Sequence, residues 1–250
     1  VIVIVNDSRY GGCAGTFSVS YNGTTGAEVQ AHEFGHSFGA LADEYGGPGT
    51  YTGPEPPDPN ITADPSGLAK WPLWLGIGGV ATFEGAGYFD NGLWRPEQDC
   101  LMNALGPLCE VCEEQIVKQT YREVSAVDDQ MPVGPINLTK PATQDFSFTN
   151  IVPGTSTITW TVNGVVFQTG GTSFTFDSTL VPSGTHTVAA NVTDMSSFVL
   201  SDPTNLMTSS GAWSVTVDTA NPGDYSKFGL GCLGTGGFLP PILANSGVPE

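Results

Sequence analysis

The chain has 250 residues, 39% of them apolar, and is long enough to bury one large hydrophobic core or two ordinary ones. Acidic residues outnumber basic residues by 25 to 7, and the formal net charge of −18 argues against nucleic acid or an anionic lipid surface as a partner. The sequence contains no run of about 18 apolar residues, so it predicts no membrane span.

In chain order, the first half mixes strands, helices and loops. The apolar run at residues 1–5 predicts a buried strand, and because the chain opens on it we expect sequence to be missing upstream. A second strand is predicted at 16–21, and helices are predicted at 26–41 and 110–125 from the spacing of their apolar residues. The stretch 48–65 is rich in Pro, Gly and Asp, which predicts a long loop.

The second half alternates apolar and polar residues in short runs that are separated by Gly, Pro or Asn turns. Asn163-Gly164, between two such runs, is the pattern of a tight β-hairpin. Short strands at this spacing predict an immunoglobulin-like β-sandwich over residues 131–218. Residues 219–250 are rich in Gly and Pro, which predicts a linker or the start of a further module.

The clearest chemical motif is His32-Glu33-Phe34-Gly35-His36, within the first predicted helix. Residues four apart lie on one face of a helix, so the two imidazoles can bind one zinc ion at about 2.0–2.1 Å. Glu33 then lies beside the ion, where it can act as general base on a zinc-bound water and pass the proton to the leaving amine. The motif therefore predicts a zinc peptidase site with His32 and His36 as ligands and Glu33 as the catalytic residue.

A catalytic zinc takes a third protein ligand and keeps one open position. In the extended pattern H-E-x-x-H-x-x-G-x-x-H, a glycine ends the helix in a left-handed conformation and the chain turns back with that ligand; Gly39 has this position here. The expected third histidine is replaced by Ala42, which cannot bind a metal. We expect Asp43 to complete the site, with Glu44 as the alternative, and the remaining carboxylate to orient a histidine.

The sequence HEFGHSFGALADEY, residues 32–45, closely resembles the signature of the M64 peptidase family, the IgA-peptidase-type metallopeptidases of the metzincin-like clan. The resemblance covers about residues 1–125, half of the chain. Other segments resemble parts of that family in the same order: VNDSRYGG (5–12), FEGAGY (83–88), WRP (94–96), CLM (100–102) and LCEVC (108–112).

The resemblance implies an α+β fold: a metzincin-like zinc peptidase domain over residues 1–130, incomplete at its N-terminus, followed by the sandwich and the Gly/Pro-rich tail. It also implies a methionine-containing turn beneath the metal, for which Met102 is the candidate. Tyr45 and Tyr88 are candidate hydrogen-bond donors to the oxyanion, and the alternative for each is a packed tyrosine. We assign Tyr88 to the catalytic group and Tyr45 to the residues around the metal.

Three of the five cysteines are close together in the sequence: Cys100, Cys109 and Cys112. They suit a structural disulfide, a redox pair or a second metal site. A zinc cluster usually needs four ligands and no fourth Cys or His is near, while a redox pair is expected in a thioredoxin-like context that is absent. We therefore favour a disulfide between Cys100 and either Cys109 or Cys112.

These observations favour a secreted or cell-surface zinc endopeptidase that acts on a protein or peptide substrate. Low lysine content and the cysteines suit an exported chain. The alternative is an extracellular surface or appendage protein that uses a peptidase-like fold for binding or for assembly with other extracellular chains. A third hypothesis is calcium-dependent adhesion through the acidic loops, which adds Ca²⁺ to Zn²⁺ as a candidate cofactor.

Overall fold

The structure, a computed structural model, describes residues 1–152 and 154–219. Within these residues the chain is mostly β, with thirteen strands in four sheets and two α-helices. The predicted α+β class with a metzincin-like peptidase domain is therefore wrong, because short strands and irregular segments, not helices, make up most of the chain. Residues 220–250, which include Cys232 and nearly all of the predicted Gly/Pro-rich tail, lie outside the described residues.

Both predicted helices are present, as α1 (Gly26–Gly39) and α2 (Glu110–Glu123). Neither is long and apolar enough to cross a membrane, and the described residues contain no other α-helix. The strands are β1 (Ile2–Val5), β2 (Gly12–Ala14), β3 (Ser18–Tyr21), β4 (Phe83–Ala86), β5 (Phe89–Arg95), β6 (Val127–Met131), β7 (Ile136–Lys140), β8 (Thr143–Asn150), β9 (Ser156–Val162), β10 (Val165–Thr169), β11 (Ser173–Asp177), β12 (Gly184–Asp194) and β13 (Thr208–Thr219).

A three-stranded sheet carries α1. Its central strand is β3, with β1 parallel on one side and β2 antiparallel on the other. The helix packs mainly over β3 and β2, and Gln30 Nε2 donates to Ser18 Oγ at 2.6 Å. The prediction that residues 1–5 form a buried strand is wrong: β1 forms, but all of its residues are exposed, because it lies at the edge that α1 leaves uncovered.

The C-terminus of α1 turns the chain back toward the helix. The left-handed residue of this turn is Ala40, at φ 53°, and its N–H donates to His36 O at 3.1 Å. The expectation that Gly39 supplies the left-handed conformation is therefore wrong. Gly39 instead permits close packing of the two helices, since a Cβ there would lie 2.7 Å from Ile116 Cδ1 of α2.

The second half of the described chain contains two sheets around a common core. The five-stranded sheet has the order β10-β9-β12-β13-β7 and the three-stranded sheet the order β11-β8-β6. Trp160 and Trp213 are buried between them, with ring centroids 5.6 Å apart. The predicted hairpin at Asn163-Gly164 joins β9 to β10, and both turn residues have positive φ, as a type I′ turn requires. The domain division at residue 130 stays a prediction.

A hydrogen bond ties α2 to this sandwich: the Tyr121 hydroxyl donates to Asp194 Oδ2 at 2.8 Å. We expect Tyr121→Phe to lower the free energy of unfolding by about 1.5–3 kcal/mol, since hydrogen bonds to charged groups contribute about that much. Urea unfolding followed by tryptophan fluorescence measures the change. Tyr10→Phe, at an exposed tyrosine, is the matched control and should change it by less than about 0.5 kcal/mol. Equal changes in the two variants would contradict the role of this bond.

Candidate metal centre

Two histidine side chains converge one turn apart on α1. His32 Nε2 and His36 Nε2 are 3.1 Å apart. On the other side of each ring, His32 Nδ1 lies 2.9 Å from Leu101 O and His36 Nδ1 lies 2.6 Å from Leu41 O. A carbonyl oxygen only accepts, so each Nδ1 donates and each neutral ring presents an unprotonated Nε2. Two nitrogen lone pairs therefore face the same region.

The third group at this point is Asp43. Its Oδ1 lies 3.0 Å from His32 Nε2 and 3.2 Å from His36 Nε2. Of the two carboxylates that the sequence left open, Asp43 lies against the imidazoles, whereas Glu44 lies among Cys100, Cys109 and Cys112. We call His32, His36 and Asp43 the histidine–aspartate cluster.

The second oxygen of Asp43 is held by a tyrosine. The Tyr88 hydroxyl donates to Asp43 Oδ2, and the Tyr45 hydroxyl donates to that of Tyr88 at 3.1 Å. Tyr88 lies in the two-residue turn between β4 and β5 at φ 67°, a rare conformation for a residue other than glycine. The bond to the Asp43 carboxylate raises the pKa of the Tyr88 phenol. In this arrangement, the Tyr88 hydroxyl, which was predicted to donate to an oxyanion, donates instead to the Asp43 carboxylate.

The charge distribution of the histidine–aspartate cluster favours a bound cation. Burial alone would raise the pKa of Asp43, but the nearby imidazoles and Tyr88 outweigh it and hold that pKa well below its usual value. Burial alone would lower the pKa of His32 and His36, but Asp43 and the backbone carbonyls reverse this and raise both. Asp43 Oδ1 is nevertheless buried without a hydrogen bond of suitable geometry. A cation between the three atoms would satisfy it.

Glu33 lies beside this cluster in a cleft of about 470 Å³. Its side chain is mostly buried, and burial raises the pKa of its carboxyl. The backbone of β2 passes directly over it, because a Cβ on Gly12 would come within 2.5 Å of Glu33 Oε1. The cleft is lined by Gly12, Cys13, Ala14, Gly15, His32, Glu33, His36, Ser37, Asp43, Tyr45 and Tyr88.

Met102 lies beneath α1, and its assignment to a turn beneath a bound metal stays a prediction. It is fully buried, and a Cβ on Gly35 would lie 2.7 Å from its Sδ, so the helix rests directly on the thioether. The Met102 carbonyl accepts from Glu44 N–H at 2.8 Å. Leu101, the preceding residue, supplies the carbonyl that orients His32. This turn therefore supports both the helix and the segment that carries Asp43.

The disulfide predicted between Cys100 and Cys109 or Cys112 is not formed, and all three are buried free thiols. The Sγ atoms of Cys100 and Cys112 are 3.7 Å apart, whereas a disulfide needs about 2.05 Å. Glu44 lies among them, and its Oε1 accepts from the Cys112 thiol at 3.2 Å. We call Glu44, Cys100, Cys109 and Cys112 the thiol cluster. Sequence reasoning missed it because Glu44 is remote in sequence from the cysteines.

Asn60 is a second residue that sequence reasoning missed. It is fully buried, and its side chain both donates to Ala42 O and accepts from Ala42 N, at 2.9 and 2.8 Å. Its Nδ2 also donates to Glu44 Oε1 at 2.9 Å. Asn60 thus fixes the backbone of Ala42, which precedes Asp43, and the side chain of Glu44, which follows it. Its place in the long predicted loop gave no indication of this role.

The calcium prediction gains no support from the geometry. In residues 1–152 and 154–219, two groups of three or more His, Cys, Asp or Glu side chains are close enough to share an ion, namely the histidine–aspartate and thiol clusters. Asp43 is the one aspartate in these two groups, and no other aspartate of the described residues belongs to either.

The IgA Peptidase M64 family model matches residues 1–79 of the chain. The matched stretch contains Glu33 and the histidine–aspartate cluster, but it ends before Tyr88, Met102 and the three buried cysteines. It is less than half of the chain. A search of curated proteins found no match.

Among solved structures, the chain is similar to a quinonprotein alcohol dehydrogenase-like protein from Bacteroides thetaiotaomicron, with a TM-score of 0.27 and 12% identity over 38% of this chain and 20% of that one. It is also similar to fibronectin(III)-like modules of Clostridium thermocellum CbhA, with a TM-score of 0.26 and 12% identity over 39% of this chain and 99% of that one. A third similar structure is SGBP-B of a Bacteroides ovatus mixed-linkage glucan utilization locus, in complex with a mixed-linkage heptasaccharide. Its TM-score is 0.27, with 15% identity over 37% of this chain and 24% of that one. The chain spans about a fifth and a quarter of the first and third of these proteins.

Proposed function

We propose that the chain is a zinc-dependent endopeptidase of the M64 type, in which His32, His36 and Asp43 bind the metal and Glu33 is the general base. One observation carries the proposal: the two Nε2 atoms and Asp43 Oδ1 lie 3.0–3.2 Å from one another at the base of a cleft, with Glu33 beside them. The short match to a peptidase family over the same residues supports it.

The three groups fit a zinc ion in both geometry and chemistry. Ligands at about 2.0–2.1 Å from a tetrahedral ion lie about 3.3 Å from one another, close to the observed separations. Two imidazoles and a carboxylate are a ligand set that catalytic zinc sites use, and they leave one position open. Both Nδ1 atoms are already bonded to backbone carbonyls, which is the arrangement that fixes metal-binding histidines.

When bound there, zinc would polarise the scissile carbonyl and acidify water at neutral pH. The protein's own contribution is proton transfer and positioning. Glu33 is buried on the adjacent side of α1, where its carboxylate can take a proton from the attacking water and give it to the leaving amine. Burial raises the pKa of Glu33 above its usual value, which is the direction that favours proton uptake by a general base.

The substrate main chain has a natural docking edge in β2. This strand is the outer strand of its sheet and pairs with β3 on one side only, within the residues described. Its residues Gly12, Cys13 and Ala14 line the cleft, and their small side chains leave room for an extended peptide. A peptide that adds to a strand edge gains main-chain hydrogen bonds without sequence preference. This would place its scissile bond over the histidine–aspartate cluster.

The test is metal-dependent cleavage. Zinc-loaded protein is incubated with a degenerate peptide library and the products are identified by mass spectrometry. We expect cleavage that is lost with 1,10-phenanthroline and restored by added Zn²⁺. Cleavage that persists after zinc has been removed, or no cleavage by protein that holds zinc at the histidine–aspartate cluster, would overturn the proposal.

Tyr88 is proposed to position Asp43, because its hydroxyl donates to the carboxylate oxygen that faces away from the imidazoles. We expect Tyr88→Phe to weaken zinc binding by about 10- to 100-fold, the usual cost of removing a partner that orients a metal ligand. Competition with a fluorescent zinc chelator measures the affinity. Tyr10→Phe serves as the control. Unchanged affinity in Tyr88→Phe, with a fall in kcat alone, would instead assign Tyr88 to the oxyanion.

Secretion, a cell-surface location and assembly with other extracellular chains stay predictions from composition. An exported peptidase remains the hypothesis with which the acidic, lysine-poor sequence agrees best.

A further inference from the structure

We propose that the thiol cluster is a second, structural zinc site, with Cys100, Cys109, Cys112 and Glu44 as its four ligands. The catalytic proposal uses none of these side chains. The inference does not depend on peptidase activity, because it rests on the geometry of the cluster itself.

The spacing of the sulfur atoms fits shared coordination and not a covalent bond. Ligands at about 2.3 Å from a tetrahedral zinc are about 3.8 Å apart, and the Sγ atoms of Cys100 and Cys112 are 3.7 Å apart. The ligand atoms of all four residues lie within 4.8 Å of one another. The Cys109 N–H donates a hydrogen bond to Cys100 Sγ at 3.4 Å, so the Cys100 sulfur is a hydrogen-bond acceptor.

Without a cation, the burial of these carboxylate and thiol groups is unfavourable in free energy. All four residues are at most 2% exposed, and Glu44 Oε2 is buried with no hydrogen-bond partner among the described residues. In the described chain, no ion pair with a Lys, Arg or His compensates Glu44. A divalent cation would satisfy the orphaned oxygen and neutralise the thiolates together.

The donor set selects the metal and the type of site. Three thiolates and one carboxylate around a tetrahedral centre suit zinc, and soft sulfur donors disfavour magnesium and calcium. Four protein ligands in a buried cluster leave no open position, which is the mark of a structural site. The helix adds to this, since Cys109 is the N-cap residue of α2 and Cys112 lies in its first turn, where the helix dipole stabilises thiolates.

Residues of the thiol cluster are adjacent in sequence to residues of the first metal centre. Glu44 follows Asp43, and Cys100 precedes Leu101, whose carbonyl orients His32. One ion would therefore join the segment that carries the third ligand, the turn under α1 and the start of α2. We expect this second ion to position Asp43 and His32 for the first one.

The experiment separates the two sites. The protein is produced in zinc-supplemented medium as wild type and as His32→Ala/His36→Ala, which removes the first site and leaves the cysteines intact. Zinc per chain is measured by mass spectrometry of the metal, and the ligands by X-ray absorption at the zinc edge. We expect two zinc ions in the wild type and one in the double variant, with a sulfur shell at about 2.3 Å.

Cysteine variants in the double-variant background complete the test. Cys109→Ser should lose the remaining zinc or weaken its binding, whereas Cys13→Ser, at an exposed thiol outside the cluster, should keep it. A folded double variant without zinc, zinc with only nitrogen and oxygen neighbours, or a Cys100–Cys112 disulfide in the non-reduced intact mass would each overturn the proposal. The double variant decides the matter even if Cys109→Ser does not fold.

Discussion

Glu33→Gln is expected to reduce kcat/KM for peptide cleavage by about 100- to 10,000-fold, the usual contribution of a general base. Glutamine has the shape of glutamate but cannot accept the proton of the attacking water. Because Glu33 is not a ligand in the proposed centre, we expect zinc content to remain unchanged. Steady-state kinetics on a fluorogenic peptide, together with the zinc content of the same sample, measure both quantities.

Glu28→Gln is the matched control for this variant. Glu28 lies in the first turn of the same helix and is exposed, so the same chemical change there should leave kcat/KM within about two-fold, as surface substitutions usually do. A Glu33→Gln protein that retains full activity would remove Glu33 from the proposed chemistry. Loss of activity together with loss of zinc would assign the residue a role in metal binding instead.

Asp43→Ala is expected to weaken zinc binding by more than about 100-fold, since removal of a group that only orients a ligand already costs about 10- to 100-fold. The variant leaves two neutral imidazoles with no charged ligand, and Tyr88 loses the carboxylate to which its hydroxyl donates. Competition with a chelator of known affinity measures the change. Activity should fall in proportion to the zinc that is lost.

The control is Asp218→Ala, which removes an exposed carboxylate in β13. It changes net charge by the same amount and should leave zinc affinity unchanged. If Asp43→Ala binds zinc as tightly as Asp218→Ala, another residue is the third ligand. If both variants weaken binding equally, the effect comes from net charge and not from coordination.

The local part of the candidate site was predictable from the sequence. His32 and His36 are one helical turn apart, and the spacing alone brings their rings together once the helix forms. Asp43 required more, because its position depends on the left-handed turn at Ala40 and on the bonds from Asn60, which comes from a distant loop. The sequence could only indicate that a carboxylate follows the helix.

The fold class was not predicted correctly, because the family resemblance and the helical motif outweighed weak strand signals. β2 consists of Gly12, Cys13 and Ala14, which show no alternation of apolar and polar residues. Strands β4 and β5 contain glycines and pair with an irregular register, so their sequence lacks a clear strand pattern. The hairpin that they form was therefore not predicted, and the segment was interpreted only through its resemblance to family motifs. The predicted hairpin at Asn163-Gly164 formed because its turn chemistry is local.

The thiol cluster illustrates the limit of reasoning from spacing. The three cysteines are near one another in sequence, and the absence of a fourth Cys or His nearby favoured a disulfide. The fourth group is Glu44, brought in by the chain that turns back after α1. Its neighbour Asp43 belongs to the histidine–aspartate cluster, so two adjacent carboxylates enter two different clusters. Only the tertiary structure separates their roles.

The most direct test of the central claim is the anomalous difference density of a zinc-loaded crystal, measured on both sides of the zinc absorption edge. We expect a peak about 2.0–2.2 Å from His32 Nε2, His36 Nε2 and Asp43 Oδ1, with the Glu33 carboxylate facing its open side. No zinc peak between these three atoms, in crystals whose protein binds zinc, would contradict it.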